Sequence, residues 1–228
     1  MLSVVIPVFN EEKFIGQSLK IVFDHAAVPP EVIVVDGQST DGTCCEVQKF
    51  HVKLLQPPGR GRAFQMYTAA AGAAGDVLLF LHADSVPPPG YDKLILAAVE
   101  AGALAGCFQL RFSRRTAFFK FFEFFTRFPF LLCRGGDQGL FITKALYKRI
   151  GGFNPNLLIM EDIDIIKRIK KQTHFTILTQ KIETSTRKYD QHGAFGLQMR
   201  FAVVHFLYWW GVSDHSIYHR FKKYIQKT

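Results

Sequence analysis

Apolar residues in the first hundred positions follow two rhythms. Leu2-Ser3-Val4-Val5-Ile6 is a short β-branched run closed by Pro7, which predicts a buried strand. From Glu11 to Asp24, Phe14, Ile15, Leu19 and Val22 recur at helical spacing. Glu31-Val32-Ile33-Val34-Val35-Asp36 predicts a second buried strand ending on an acid, with Thr40 or Asp41 placed to cap the helix that follows. Strand signals return over Val52–Leu55 and Asp76–His82, separated by an alanine-rich helical stretch from Arg62 to Ala74. Strands alternating with helices predict an α/β fold: a mostly parallel, doubly wound sheet with helices on both faces.

The second half is looser. Leu104–Phe112 predicts a strand, and Thr116–Leu132 a helix crowded with phenylalanine. Lys120, Glu123 and Arg127 would form the narrow polar face of that helix. Gly135–Gly139 is a glycine-flanked loop, Thr143–Ile150 a short helix closed by Gly151-Gly152, Glu161–Lys171 a helix and Phe175–Thr179 a strand. From Gly193 onward the pattern is one or two helices. With no repeat and no linker-like composition, residues 1–228 are expected to form one domain. It divides into a nucleotide-donor half (1–100), an acceptor half (101–190) and a helical tail (191–228).

Composition narrows this picture. The chain has 228 residues, 48% of them hydrophobic and 21% charged, as in globular rather than disordered chains. The formal net charge of +9 suits an anionic partner: a phosphorylated ligand, a nucleic acid or an anionic membrane. No nucleic-acid-binding module is recognisable, so no nucleic-acid partner is expected. Cys44, Cys45, Cys107 and Cys133 match neither a zinc motif nor a disulfide framework, as expected of reduced thiols in a cytoplasmic protein. The N-terminus lacks the basic flank of a signal peptide, and no run approaches the roughly 20 apolar residues that span a bilayer.

Each early strand ends in residues unsuited to a core: Pro7 to Glu12, Asp36 to Gly42, Pro57 to Arg62, and His82-Ala83-Asp84. In a parallel sheet these ends converge on the edge where ligands bind. Two carboxylates, two arginines, a histidine and flexible glycines there suit a nucleoside diphosphate. Arg60 and Arg62 would contact the phosphates. Asp84 would hold a hard divalent cation, and Asp36 would accept from a base N–H or a ribose hydroxyl. Asp137 and Gln138, in the glycine-flanked loop, are candidates to contact a donor sugar or an acceptor hydroxyl. Neither a Gly-x-Gly-x-x-Gly turn nor a Gly-x-x-x-x-Gly-Lys-Ser/Thr loop is present.

These residues resemble the family-two inverting glycosyltransferases of the GT-A fold. Val5 to Glu12 is similar to their opening motif and Val34 to Thr43 to their second. Leu81-His82-Ala83-Asp84 stands where they carry Asp-x-Asp, and Met160-Glu161-Asp162 resembles their Glu-Asp motif. The Gly59-Arg60-Gly61 to Gln65-Met66, Leu-His-Ala-Asp and Gly135 to Gly139 segments resemble a compact bacterial subgroup. The resemblance implies a nucleotide-sugar donor, a UDP-sugar foremost, with Pro7, Phe9, Glu11, Asp36 and Ala83 around the nucleoside. It implies Arg60 and Arg62 on the diphosphate, Asp84 and His82 on Mn2+ or Mg2+, and Asp162 as general base with Glu161 beside it. His82 replaces the first acid of Asp-x-Asp, and imidazole suits manganese better than magnesium. The Gln-x-x-Arg-Trp motif of processive polymerases is absent. Arg187-Lys188-Tyr189 is the nearest substitute, placed to close over the diphosphate.

Two other function classes stay open: a sugar nucleotidyltransferase, and a non-catalytic, membrane-associated protein of the same fold. The first lacks a glycine-rich loop after strand one, where Asn10-Glu11-Glu12 stands. Two apolar segments exceed what a surface helix needs: the phenylalanine-rich helix, and Phe206 to Trp210 ahead of Arg220, Lys222, Lys223 and Lys227. Deep burial under the tail accounts for the first. Peripheral attachment to the inner membrane face, with a lipid-linked acceptor, or a homodimer contact accounts for both.

Overall fold

The computed structural model describes residues 1–59 and 61–225. Along the chain run β1 (Leu2–Val8), α1 (Glu12–His25), β2 (Glu31–Asp36), α2 (Thr43–Val47), β3 (Lys53–Leu55), α3 (Arg62–Gly72) and β4 (Val77–Phe80). Next come β5 (Ser85–Val86), α4 (Tyr91–Glu100), β6 (Ala105–Phe112) and α5 (Ala117–Phe125). Two 3-10 turns, Leu131–Cys133 and Gly136–Gln138, precede β7 (Leu140–Thr143). Then follow α6 (Lys144–Arg149), α7 (Glu161–Lys170), β8 (Thr176–Thr184), α8 (Arg187–His192), α9 (Ala194–Trp209) and α10 (Asp214–Ile225).

Among the described residues the strands form one sheet in the order β3-β2-β1-β4-β7-β6-β8-β5. β1 to β4 are mutually parallel, as their buried runs require. β7 runs antiparallel between β4 and β6, and β8 is parallel to β6. Alternation along each strand sends side chains to two cores. Val4, Ile6 and Val34 pack against Ile15 and Leu19 of α1. Val5, Ile33 and Val35 pack against Met66 and Ala69 of α3 and Ile165 of α7. Pro7 pairs with Val35 beyond the last residue of the β1–β4 ladder, Val5 opposite Phe80. No helix among the described residues is long and apolar enough to cross a membrane.

The second half departs from the sequence pattern in three places. β7 fills the stretch between the glycine-flanked loop and the expected helix start, to which the pattern assigns no element; Thr143 ends the strand and its hydroxyl caps α6, accepting from the Leu146 N–H at 3.4 Å. β8 extends to Thr184 through a polar run that hides its strand character. Neither Thr40 nor Asp41 caps α2; Gly42 stands at the cap, and Asp41 instead accepts from the Thr43 N–H at 3.0 Å.

The phenylalanine-rich helix is the largest departure. It stops at Phe125 rather than Leu132, because Pro129 cannot continue a helix. Of its expected polar face, Glu123 points inward while Lys120 and Arg127 stay exposed. β6 pairs with β7 only at Ala105 and Gly106, so the later amides of β6 need other acceptors. Thr126 Oγ1 accepts from Leu110 N–H at 3.0 Å, and Glu123 Oε1 from Phe112 N–H at 2.9 Å. Glu123 also receives Arg115 at 2.7 Å. With Glu123 buried, Phe119 is buried too, but Phe121, Phe124 and Phe125 face solvent. The tail helices do not cover them.

Candidate active site

The strand order reverses direction between β1 and β4, and the segments following both strands meet at that crevice. Glu11 follows β1, is 2% exposed, and donates its backbone N–H to Thr43 Oγ1 at 2.8 Å. Asp84 sits on the turn after β4. Arg187, the first residue of α8, joins them: Nη2 lies 3.4 Å from Glu11 Oε2 and 3.7 Å from Asp84 Oδ2. Its guanidinium also lies over the Phe14 ring, 4.0 Å from the centroid. Its signal in the sequence was the Arg-Lys-Tyr run, and only the fold shows which acids it meets.

At the end of β1, Pro7 is buried and Phe9 is exposed at the mouth of the crevice. Asp36 is buried, and both its oxygens accept from the Ser39 N–H at 3.1–3.2 Å, so in this state it shapes its own loop. Asn10, in the left-handed region at φ 52°, accepts from Thr40 N–H at 2.9 Å and donates its own N–H to Ser39 at 2.8 Å. Gln65 lies in the glycine–arginine segment, where one glutamine in a helical stretch carries no signal of a site. Its buried amide donates to the carbonyls of Val8 at 2.9 Å and Val35 at 2.6 Å, clamping the ends of β1 and β2 together. Ala83 is buried and its carbonyl accepts from the Ser18 hydroxyl. Arg60 lies outside the described residues.

The antiparallel β7 brings the second half to this edge. Leu140 lies opposite Phe80, so the turn Gly136–Gln138 just before β7 lands beside His82. Gly136 has no room for a side chain: a Cβ there would stand 2.6 Å from His82 Nε2 and overlap the Asp162 carboxylate. His82 and Asp162 are therefore neighbours across a bare backbone. α7 starts after Met160, a left-handed residue at φ 61°. Glu161 is buried and ion-paired to Arg62 Nε, and Arg62 Nη2 lies 3.8 Å from Asp162 Oδ2.

Crowded carboxylates set the electrostatics of the edge. Burial first, then the Glu161 charge, push Asp162 up to about 7, against the opposing pull of Arg62. Burial and the Asp84 charge push Asp137 up to about 6. Desolvation disfavours the Arg62 cation, but Glu161 and Asp162 outweigh it and raise its pKa. A carboxylate in this setting is a better base than the ordinary one expected from sequence. Gln138 is turned away: its amide donates to Cys133 O at 2.9 Å and its Oε1 faces Cys107 Sγ at 3.4 Å. It holds the loop, while Asp137 faces the other carboxylates.

Among the described residues no group of three or more His, Cys, Asp or Glu side chains encloses one point as a metal cage. Asp84, with His82 and the carboxylates whose charge is disfavoured beside it, is a partial oxygen-rich set. That suits a hard cation completing its shell with phosphate oxygens, as Mg2+ and Mn2+ do.

The sheet, its reversal point and the acids gathered there define a GT-A-like α/β protein. Residues 3–149 match the family model described as glycosyl transferase family 2, and the chain belongs to that family. It is 27% identical over 194 residues to the probable glycosyltransferase YdaM of Bacillus subtilis, covering 74% of this chain and 46% of that protein. The chain therefore spans under half the length of this relative. Two solved structures share the fold. S. aureus TarS in complex with UDP-GlcNAc has a TM-score of 0.66 at 20% identity, over 81% of this chain and 58% of that one. The mannosyltransferase PcManGT of Pyrobaculum calidifontis, in complex with GDP-Man and Mn2+, has a TM-score of 0.67 at 21% identity. That match covers 89% of this chain and 61% of the other.

Proposed function

We propose that this chain is an inverting glycosyltransferase that moves a sugar from a nucleoside-diphosphate sugar, foremost a UDP-sugar, to an acceptor hydroxyl. One observation carries the reading: a carboxylate held near neutral pKa, Asp162, faces the crevice where the ends of β1 and β4 gather Glu11, Asp84 and Arg187. The family membership supports the reaction class, and the bound ligands of TarS and PcManGT support the donor class.

In the reaction the acceptor oxygen bonds to the anomeric carbon on the face opposite the diphosphate. The bond from that carbon to the phosphate oxygen breaks, and its electron pair leaves with the nucleoside diphosphate. Asp162 takes the hydroxyl proton, which becomes acidic as the new bond forms. Arg62 holds Asp162 and Glu161 in place and is the described arginine that would meet the phosphates. Arg187 is placed to move from the two carboxylates to the diphosphate. Asp84 and His82 would hold a Mn2+ or Mg2+ ion, which supplies charge stabilisation for the leaving diphosphate. Pro7, Phe9, Glu11, Asp36 and Ala83 line the nucleoside side, and Asp137 faces the sugar.

The test is donor turnover across a panel of nucleoside-diphosphate sugars with Mn2+, following released diphosphate and the anomeric configuration by NMR. Release of UDP with inversion supports the reading. Retention of configuration, or pyrophosphate release from a nucleoside triphosphate instead, overturns it.

A further inference from the structure

We propose that the exposed stripe of α9 seats this protein on the surface of an anionic lipid bilayer. α9 carries only three polar side chains in sixteen residues, Gln198, Arg200 and His205, and is apolar on two opposite sides, where a surface helix of a globular protein has one apolar stripe. One side packs inward: Leu197 is buried, and Val204, Leu207 and Tyr208 close over Ile159 and Ile217. The other side is a second apolar stripe. Phe195, Met199, Val203, Phe206 and Trp210 recur at steps of three and four, all exposed. The stripe runs about 22 Å along the helix. It ends at two adjacent indoles, Trp209 and Trp210, 82% and 71% exposed.

The packed side of α9, opposite the stripe, is tied to α5 through ring contacts. Tyr189 stands 5.2 Å from Phe119 of α5 and 6.3 Å from Phe201 of α9, centroid to centroid. Beyond that bridge, Phe121, Phe124 and Phe125 point outward because Glu123 and Thr126 are committed to the edge of β6. Two elements separated in sequence thus each expose more apolar surface than scattered surface hydrophobics need.

Charge decides what covers it. From Ala194 to Ile225 the basic residues are Arg200, Arg220, Lys222 and Lys223, and Asp214 is the one acid. Asp214 is already committed, accepting from Leu158 N–H at 2.9 Å. On α5, Lys120 and Arg127 are exposed, and Arg127 lies over the Phe124 ring at 4.2 Å. A twofold contact with a second copy would set this basic surface against itself, with scarcely an acid to pair. Lipid phosphates supply the missing negative charge, and indoles beside lysine and arginine suit the headgroup layer. α9 is about 24 Å long, too short to span a bilayer comfortably, so it lies in the interface plane.

The docked helices reach the active site through packing. Val204 and Ile217 hold Ile159, and Met160 packs on the same cluster just before Glu161 and Asp162. The helix that meets the lipid thus also packs, by its other side, on the segment that opens α7, which suits an acceptor hydroxyl carried on a lipid. This last step rests on the proposed transfer reaction; the docking itself does not.

The experiment is co-sedimentation of the full chain with vesicles of equal parts phosphatidylglycerol and phosphatidylethanolamine, against vesicles of phosphatidylcholine alone. Binding to the anionic vesicles is expected, weakening at high salt as screening tightens. The Trp209→Ser/Trp210→Ser variant should lose about tenfold or more in affinity at an unchanged melting temperature, since both side chains lie in solvent. Arg220→Gln and Lys222→Gln should each cost about fivefold. A wild-type protein that stays in the supernatant at low salt overturns the proposal. So does equal pelleting of the double tryptophan variant, or a dimer in sedimentation equilibrium that this variant splits. Asp162→Asn should bind vesicles as the wild type does, so a failed transfer reading leaves this result standing and the reverse holds too.

Discussion

Nη2 of Arg187 stands 3.7 Å from Oδ2 of Asp84, although more than a hundred residues separate them in the chain. The same nitrogen lies 3.4 Å from Glu11 Oε2, so one guanidinium from α8 neutralises the acids following both β1 and β4. Removing it leaves two carboxylates to repel each other and a diphosphate. Arg187→Ala should weaken UDP binding about tenfold or more in calorimetry with Mn2+ present, the loss expected for one charge-assisted hydrogen bond. Unchanged affinity would show that Arg187 stays on the acids.

Asp162 carries the proton in the proposed reaction. Asp162→Asn should lower kcat by about 10²–10⁴-fold. A base must be deprotonated to act, and burial beside Glu161 raises Asp162 to about 7. Wild-type kcat/KM should therefore climb with pH through neutrality and level off above about 8. A wild-type profile already flat from pH 5 would remove Asp162 from the role.

Asp137 gives a stability test with the opposite tendency from most acids. Its pKa is raised in the folded state, from 3.8 to about 6. The folded protein therefore binds this proton more tightly, and stability falls as pH rises from about 4 to about 6. Without divalent cations, Asp137→Asn should stabilise the protein by about 1–3 kcal/mol at pH 8 and have little effect near pH 4. Thermal melts at the two pH values decide it, and equal shifts at both would rule out the raised pKa.

Glu161 is buried while Arg62, its partner, is 39% exposed. Glu161→Gln should destabilise by about 1–2 kcal/mol, less than for a fully buried pair because water reaches the guanidinium. It also removes the charge that most raises Asp162 after burial itself. The pH–rate profile should shift toward acid in this variant, which a purely structural role for Glu161 would not produce.

Glu123→Leu would improve α5 as an apolar helix, yet it should destabilise the fold by about 1–3 kcal/mol. The Phe112 amide and Arg115 both lose their acceptor. A denaturant midpoint equal to or above that of the wild type would show that the edge of β6 needs no acceptor there.

Much of the first hundred residues was legible from sequence. The strand over Glu31–Asp36 falls where its β-branched run ends, and the helix and strand expectations up to Phe80 shift by only one or two residues. Local periodicity suffices there, because parallel strands buried on both faces need continuous apolar runs. The gathering of Glu11, Asp36 and Asp84 at one edge follows from parallel topology alone.

What tertiary structure decided lies in the second half. β7 is four residues long and runs antiparallel, and that reversal carries Gly136 and Asp137 to His82. No local pattern encodes which strand a short run will pair with. Nor does the sequence set the pKa of Asp162, which depends on its burial beside Glu161 and on Arg62 and Asp137 reaching it across the fold. The phenylalanine-rich helix states the difference most clearly. Spacing alone placed Glu123 on the solvent face, as hydrophobic periodicity dictates. The unpaired amides of β6 outweighed it, since a buried N–H without an acceptor costs more than exposing a ring. The sequence by itself determined that α5 is apolar. Only the strand beside it decided which way the phenylalanines face.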